Sequence, residues 1–116
     1  MGVSASLLSQ QSVKKVLSSA VLRVGGVQQR VLVDSGCARC VAHVSCCSMW
    51  TKSALYLITL NSGKWQCEGM SELRLQLRNG ATADVSVCMT TQILLGFSFI
   101  LGMDGIRALG GVTVGP

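Results

Sequence analysis

The chain has 116 residues, including six Cys and one Pro, and this length suits one domain and leaves no room for two. Only 13% of the residues are charged, which argues against long solvated helices and charged disordered tails. The net charge of +5 comes from scattered cations, of which only Lys14 and Lys15 are adjacent, and this pattern argues against a nucleic-acid-binding protein.

A change in composition near residue 18 marks the one predicted boundary. Residues 1–18 are rich in Ser and Gln and predict a flexible N-terminal arm, ahead of one folded domain over residues 19–116. The domain begins with a predicted hairpin, in which strands at 20–24 and 27–33 flank Gly25-Gly26. Glycine accepts the positive φ angles that a two-residue hairpin turn requires.

The next predicted elements are a short strand at residues 41–44 and a second hairpin. In that hairpin a β-rich run at residues 54–60 leads to a turn at Asn61-Ser62-Gly63, and residues 64–70 return. The polar turn contrasts with the apolar strand before it.

Alternation predicts a third hairpin. Leu73, Leu75 and Leu77 alternate with polar residues, which is typical of a strand with one buried face. Asn79-Gly80 then predicts a type I′ turn, and residues 81–89 predict the returning strand, with Val85, Val87 and Met89 on one face.

The C-terminal part predicts a buried apolar run, a short helix and a last strand. Residues 93–101 are apolar on both faces, residues 103–109 predict a short helix closed by Gly110-Gly111, and residues 112–114 predict a last strand. Three hairpins with few helix signals predict an all-β domain, either a small closed barrel or a closed sandwich.

Asp34 is the first candidate functional residue. It follows three apolar β-formers, residues 31–33, and precedes Ser35-Gly36. An ionised Asp is almost never buried without partners, and the Ser hydroxyl and the following backbone N–H groups can supply them. The same tripeptide also fits an ordinary turn, in which the Asp side chain bonds the backbone two residues later.

The order of motifs resembles the retroviral-type aspartic proteases. The apolar run ending in Asp-Ser-Gly follows a hairpin, a second hairpin with a polar tip comes next, and Ile-Leu-Gly at residues 100–102 leads into a short helix. The Ile-Leu-Gly-Met-Asp run at residues 100–104, and the flap-like stretch at residues 57–69, are most similar to the gypsy-type retrotransposon branch. The resemblance covers residues 20 to 114 and implies the closed, barrel-like acid-protease fold.

The resemblance implies a role for each matching residue. Asp34 matches the catalytic aspartate, Ser35 the hydroxyl residue that joins two active-site loops, and Gly36 the glycine that lets the backbone approach the site. The flap and substrate-binding residues would be Asn61, Ser62, Gly63 and Trp65.

The implied activity is that of an aspartic endopeptidase of a retroelement polyprotein, in the cytoplasm or within a virus-like particle. It needs two carboxylates that share a proton and no cofactor or metal. Because the sequence holds a single Asp-Ser-Gly, the second Asp34 must come from a second copy. The expected partners are therefore a homodimer mate and an extended peptide or polyprotein substrate, and neither nucleic acid nor a membrane span is expected.

Two residues depart from the family pattern. Cys37 stands where Ala or Ser is usual and places a thiol beside the catalytic loop. Gly105 stands where the retrotransposon branch often has a bulky aromatic residue, and we expect looser packing of the C-terminal helix there.

Two alternative functions stay open from the sequence. One is a catalytically inactive domain of the same fold that dimerises or binds peptides. The other is a metal-binding module, since Cys37, Cys40, His43, Cys46 and Cys47 follow one another closely. Crowding of four cysteines into 11 residues, without an export signal, favours free thiols over disulfides. The longest apolar stretch, residues 93–103, is too short for a membrane-spanning helix, which needs about 20 residues.

Overall fold

Seven β-strands and one short α-helix make up the part of the chain that the computed structural model describes, residues 18–60, 63–92 and 95–115. The elements are β1 (Ser19–Val24), β2 (Val27–Val33), β3 (Cys40–His43), β4 (Thr51–Leu60), β5 (Gly63–Gln76), β6 (Thr82–Thr90), β7 (Phe99–Leu101) and α1 (Met103–Ala108). A single 3-10 turn, Val44–Cys46, follows β3. Almost all of the predicted N-terminal arm, residues 1–17, lies outside the described residues.

Six of the described strands close into a barrel, in the order β1, β2, β7, β3, β6 and β5, with β5 returning to β1. Closure depends on Arg23 facing Gln76 and on Val24 facing Leu75. Strand β4 lies outside this ring and pairs with β5. The expectation of an all-β closed barrel with one short C-terminal helix is confirmed.

The side chains that alternate inward along neighbouring strands fill the barrel. Leu73 and Leu75 of β5 are buried, whereas Arg74 between them is exposed, as the period-two pattern predicts. Leu73 faces Val85 of β6 in the antiparallel register, and Val87 and Val85 are both buried. Truncating the fully buried Leu75 to Ala would cost about 2–5 kcal/mol.

A second, smaller cluster of buried side chains explains why β7 is apolar on both faces. Phe99 and Leu101 pack in the main core, whereas Ile100 between them packs in the second cluster. The buried members of this second cluster are Leu32, Cys37, Val41, Cys67, Cys88 and Ile100. Strand β7 therefore runs between two packed layers.

The first predicted hairpin is confirmed. Val24 faces Val27 across the turn, and Gly25 and Gly26 have φ angles of 59° and 87°. Two consecutive positive φ angles are the requirement of a type I′ turn, and the two glycines meet it without steric cost.

The third hairpin is present, but its predicted type I′ turn is wrong. Of the two turn residues only Gly80 has a positive φ, at 95°. Gly80 N–H donates to the Leu77 carbonyl at 3.0 Å, and Leu77 N–H donates to the Ala81 carbonyl at 2.8 Å. This is a type I turn followed by a left-handed glycine bulge. The Asn79 side chain stabilises it, since its Oδ1 accepts the Ala81 N–H at 2.9 Å.

The apolar run predicted to be buried over residues 93–101 is buried only in part. Residues 93 and 94 lie outside the described residues, Leu95 is 43% exposed with a φ of 56°, and Gly96 is exposed with a φ of 85°. Only Phe99–Leu101 form a strand. The left-handed backbone at Leu95 and Gly96 turns the chain before β7 begins.

The C-terminal helix ends as predicted, but the last predicted strand does not form. Gly110 and Gly111, with φ angles of 78° and 108°, form the left-handed turn that follows the end of α1. Residues 112–114 are not a strand, and Gly115 instead forms an isolated bridge with Ser19, with both N–H···O distances at 2.9 Å. Among the described residues no helix is long and apolar enough to cross a membrane.

Candidate active site

Asp34 lies where β2 ends, and the backbone around it holds it firmly. Its N–H donates to the Leu101 carbonyl at 3.0 Å, and its own carbonyl accepts the Cys37 N–H at 3.1 Å. Its Oδ1 accepts the Gly36 N–H at 3.0 Å. Only 8% of Asp34 is exposed, while Ser35 and Gly36 are exposed beside it. The turn therefore fixes a nearly buried carboxyl group just beneath the surface.

The pairing of β2 with β7 brings the two sequence motifs together. The strands are parallel, and Leu32 faces Ile100 while Val33 faces Leu101. Because both strands end at the same edge, the loop after β2 and the loop after β7 leave the barrel side by side. Asp34 heads the first loop and Gly102 the second.

Gly102 is packed against the loop that follows Asp34. A Cβ atom at Gly102 would lie 2.3 Å from the Arg39 carbonyl oxygen and 2.8 Å from the Cys37 carbonyl oxygen. No side chain fits in that space, so the close contact of the two loops requires glycine. The next N–H groups complete the contact, since Met103 donates to the Cys37 carbonyl at 2.8 Å and Asp104 to the Ala38 carbonyl at 3.1 Å.

Asp104 is a positioning residue that the sequence analysis missed. Its Oδ1 accepts the Cys40 N–H at 3.0 Å, the Cys40 thiol at 3.1 Å and the Gly105 N–H. It therefore joins the start of α1 to the start of β3, 64 residues earlier in the chain. The signal that could have identified it is an acidic residue in the first turn of a predicted helix, where free N–H groups attract a carboxylate.

The expectation of loose packing at Gly105 is wrong. A Cβ atom there would lie 2.6 Å from both the Cys40 Sγ and the Leu101 Cδ1. Glycine lets α1 approach the barrel closely, and Cys40 and Leu101 take the space that a side chain would fill.

The cysteines near Asp34 are buried, protonated thiols. Cys37 is 2% exposed and donates to the Arg39 carbonyl at 3.0 Å. Burial raises the pKa of the Cys37 thiol, and the nearby Asp34 and Asp104 charges raise the pKa further. Burial, followed by its hydrogen bond to Asp104, also raises the pKa of Cys40. Neither thiol has the lowered pKa of a reactive nucleophile.

The structure separates the residues of the alternative metal site. Cys37 and Cys40 belong to different packing clusters, and His43 uses its Nδ1 to accept the Ser45 N–H at 3.1 Å. In residues 18–60, 63–92 and 95–115, no three His, Cys, Asp or Glu side chains are grouped as metal ligands. None of the six cysteines, all of which lie in these ranges, forms a disulfide.

Strands β4 and β5 form the predicted flap hairpin. Leu60 faces Gly63 and Ile58 faces Trp65 in an antiparallel register. Asn61 and Ser62, the predicted tip, lie outside the described residues. At the base of the hairpin, the Gln66 N–H donates to the Gln92 Oε1 at 2.9 Å.

Trp50 packs where this hairpin leaves the barrel. Its ring lies against Gly69, whose Cβ atom would come within 2.6 Å of the Trp50 Cε3. A shallow surface depression of about 660 Å³ opens beside it. The residues lining this depression are Ser48, Met49, Trp50, Thr51, Met70, Ser71, Glu72 and Ser86. Asp34 is not among them, so the depression and the candidate active site are different places.

No protein-family model matches the chain, and the search of curated proteins gives no match. Solved structures do match. The EIAV protease complexed with the inhibitor HBY-793 has a TM-score of 0.65 at 13% identity, over 86% of this chain and 94% of that one. The solution structure of the simian foamy virus (mac) protease has a TM-score of 0.54 at 13% identity, over 79% and 94%.

A third match is a Legionella pneumophila protein of unknown function (DUF785), with a TM-score of 0.56 at 13% identity, over 81% of this chain and 87% of that one. At such identities a likeness establishes the fold alone. The chain therefore has the fold of the retroviral proteases.

Proposed function

We propose that this chain is an aspartic endopeptidase of a gypsy-type retroelement, which cleaves peptide bonds as a homodimer. The observation that carries the proposal is the position of Asp34. In a retroviral-protease fold, it is a nearly buried carboxyl group held by the Gly36 N–H at the end of a barrel strand. The exposed Ser35 and Gly36 beside it leave room for a second chain to approach.

The other carboxylates of the chain support the requirement for a second copy. Four of the five acidic residues have interactions of their own. Asp84 forms an ion pair with Arg74, and Asp104 accepts the Cys40 N–H at the start of β3. Glu68 and Glu72 each accept a hydrogen bond from a hydroxyl group. Each of these four is engaged elsewhere. A second carboxylate for Asp34 must then be supplied by the Asp34 of a partner chain.

The proposed mechanism uses two Asp34 carboxyl groups that share one proton. Two like charges at close range cannot both ionise readily, so one group stays protonated. The ionised group takes a proton from the attacking water, and the protonated group donates a hydrogen bond to the scissile carbonyl. Ser35 would bond across the two-fold axis and support both loops.

The flap hairpin would cover the substrate. In the proposal, Asn61, Ser62, Gly63 and Trp65 close over an extended peptide and exclude water during the reaction. The substrate class is a polyprotein segment in extended conformation, and the site of action is the cytoplasm or a virus-like particle. The pairing of β4 with β5 supports this role, because β4 lies outside the barrel ring.

The decisive experiment compares Asp34→Asn with the matched surface variant Asp84→Asn. Asn keeps the shape of Asp but cannot act as a base, so Asp34→Asn should lose at least about 10²-fold in cleavage of a peptide library while keeping its fold. Asp84 lies in an exposed ion pair, and Asp84→Asn should cleave normally. Circular dichroism checks the fold of both variants.

Two results would contradict the proposal. One is substantial cleavage by a well-folded Asp34→Asn protein. The other is full specific activity in a species that sediments as a monomer, because activity of a shared dyad must fall on dilution towards the dimer dissociation constant. A folded wild-type protein that forms dimers but cleaves nothing would favour the inactive peptide-binding alternative.

A further inference from the structure

A groove of about 310 Å³ opens on the outer face of the barrel where β1 and β5 separate. The two strands pair at Arg23–Gln76 and at Val24–Leu75, and β5 ends at Gln76. Strand β1 extends further, so residues 20–22 run past the end of β5. The groove occupies the wedge between them.

Two arginines from distant parts of the chain line this groove. The register places Arg23 between Gln28 of β2 and Gln76 of β5, and all three side chains are exposed. Arg78 follows two residues after Gln76 and lines the same groove. Closure of the barrel thus places two arginines and two glutamines along one groove.

Neither arginine is neutralised within the part of the chain that the structure describes. Arg23 Nη1 donates to the Gly26 carbonyl at 3.2 Å, and the ion pair found in this part of the chain is between Arg74 and Asp84. The groove therefore carries two positive charges that no carboxylate of the described residues offsets.

None of the chain's five acidic side chains lines the groove. Its five acidic residues all lie in the described ranges, and each accepts at least one hydrogen bond there. A second copy would bring a net charge of +5 to a groove that already carries two arginines. Charge complementarity therefore favours a different, acidic partner over self-association.

We propose that this groove docks an acidic peptide segment of another protein through the carboxylates of its Asp or Glu side chains. The planar guanidinium groups of Arg23 and Arg78 match carboxylates in bidentate geometry. The edge of β1 is open only at Val21, between the Ser19–Gly115 bridge and the Arg23–Gln76 pair, so the docking contacts come from side chains. None of the residues lining the groove is aromatic, whereas single-stranded nucleic acid binds by stacking on aromatic rings. The groove is formed within one chain, so this inference does not rest on the proposed protease function.

Fluorescence anisotropy with a labelled peptide of alternating Glu and Thr tests the proposal. Arg23→Gln and Arg78→Gln should each weaken binding about fivefold, and the double variant about 25-fold. The matched control is Arg107→Gln, since Arg107 is exposed on α1, outside the groove, and this variant should bind within about twofold of the wild type. Higher salt should weaken binding of the wild type more than that of the double variant.

Three results would overturn the proposal. Equal weakening by Arg107→Gln would mean that the peptide responds to net charge alone. Equal binding of a peptide with Gln in place of Glu would remove the role of the carboxylates. Tighter binding of a single-stranded oligonucleotide, lost in the same Arg23 and Arg78 variants, would assign the groove to nucleic acid instead. Thermal melts of each variant, all at exposed positions, establish that the compared proteins are folded.

Discussion

Replacing Asp104 with Ala tests how the loop after Asp34 is held. The Asp104 Oδ1 accepts the N–H and thiol of Cys40 and the N–H of Gly105. Cys40 is fully buried, with no exposed surface, so its N–H has no access to water once the carboxylate is gone. Gly105 lies in the first turn of α1, where an N–H without an acceptor also weakens the helix.

The expected loss of stability follows from these contacts. A buried N–H without an acceptor costs about 1–3 kcal/mol. Loss of an acidic residue at a helix N-terminus adds about 0.3–1 kcal/mol. Together Asp104→Ala should lower the free energy of unfolding by about 1–4 kcal/mol. Asp104→Asn keeps one acceptor oxygen and should cost about 1 kcal/mol.

Urea unfolding of these variants beside Asp84→Ala measures the effect. Asp84 is the matched control, because its ion pair with Arg74 is solvent-exposed, with 69% and 55% of the Arg and Asp side chains accessible. Such pairs contribute about 1 kcal/mol or less. Amide hydrogen exchange supplies a local readout, since the Cys40 N–H should be protected in the wild type and exchange faster in Asp104→Ala.

The stabilising role of Asp104 would be refuted if Asp104→Ala unfolded no more easily than Asp84→Ala. Unchanged protection of the Cys40 N–H in a destabilised Asp104→Ala variant would also count against it, because the loss would then have another origin. Both outcomes are separate from the protease proposal, since neither readout uses peptide cleavage.

Packing and burial give two further predictions. Gly105→Ala should lower the free energy of unfolding by about 1–3 kcal/mol, because its Cβ would meet Cys40 and Leu101, and Cys40→Ala in the same chain should recover part of this loss in urea unfolding. Burial raises the pKa of Cys37, Cys40 and Cys46 above 9.0, so the folded state holds these protons to higher pH than the unfolded chain does. The contribution of these thiols to the free energy of unfolding should therefore be complete below pH 9 and should be lost as the pH rises further. Cys40→Ala should make this fall less steep, by up to about 1.4 kcal/mol per pH unit. A slope that Cys40→Ala leaves unchanged would contradict this assignment.

Local patterns were sufficient to predict most of the barrel strands. Two adjacent glycines were enough to predict the turn of the first hairpin. The alternation of Leu73 and Leu75 with polar residues was enough to predict the buried face of β5. The Asn79-Gly80 turn was predicted wrongly because the same dipeptide fits two turn types. The Asn79 side chain accepts the Ala81 N–H and stabilises the type I turn, and the dipeptide alone does not reveal that bond.

Contacts between distant residues were the part that the sequence could not supply. The bond from the Gly36 N–H to the Asp34 side chain closes a local turn, and three consecutive residues were enough to predict this turn. The bond from Asp104 to Cys40 spans 64 residues, and the fit of Gly105 depends on side chains from two other elements. Sequence periodicity reports which face of a strand is buried, but not which neighbour packs against it.

The way the two loops are locked together bears on how a dimer of this chain would work. Asp34 is fixed by its N–H bond to Leu101, and the loop behind it is fixed by Gly102 and Asp104, all within one chain. Half of the proposed dyad is therefore ordered before any partner arrives, and association need not supply the entropy cost of forming the loop. On the proposed mechanism, dilution should then abolish activity without unfolding the region around Asp34. The loss of activity would follow from the missing second carboxyl group and not from disorder of the first.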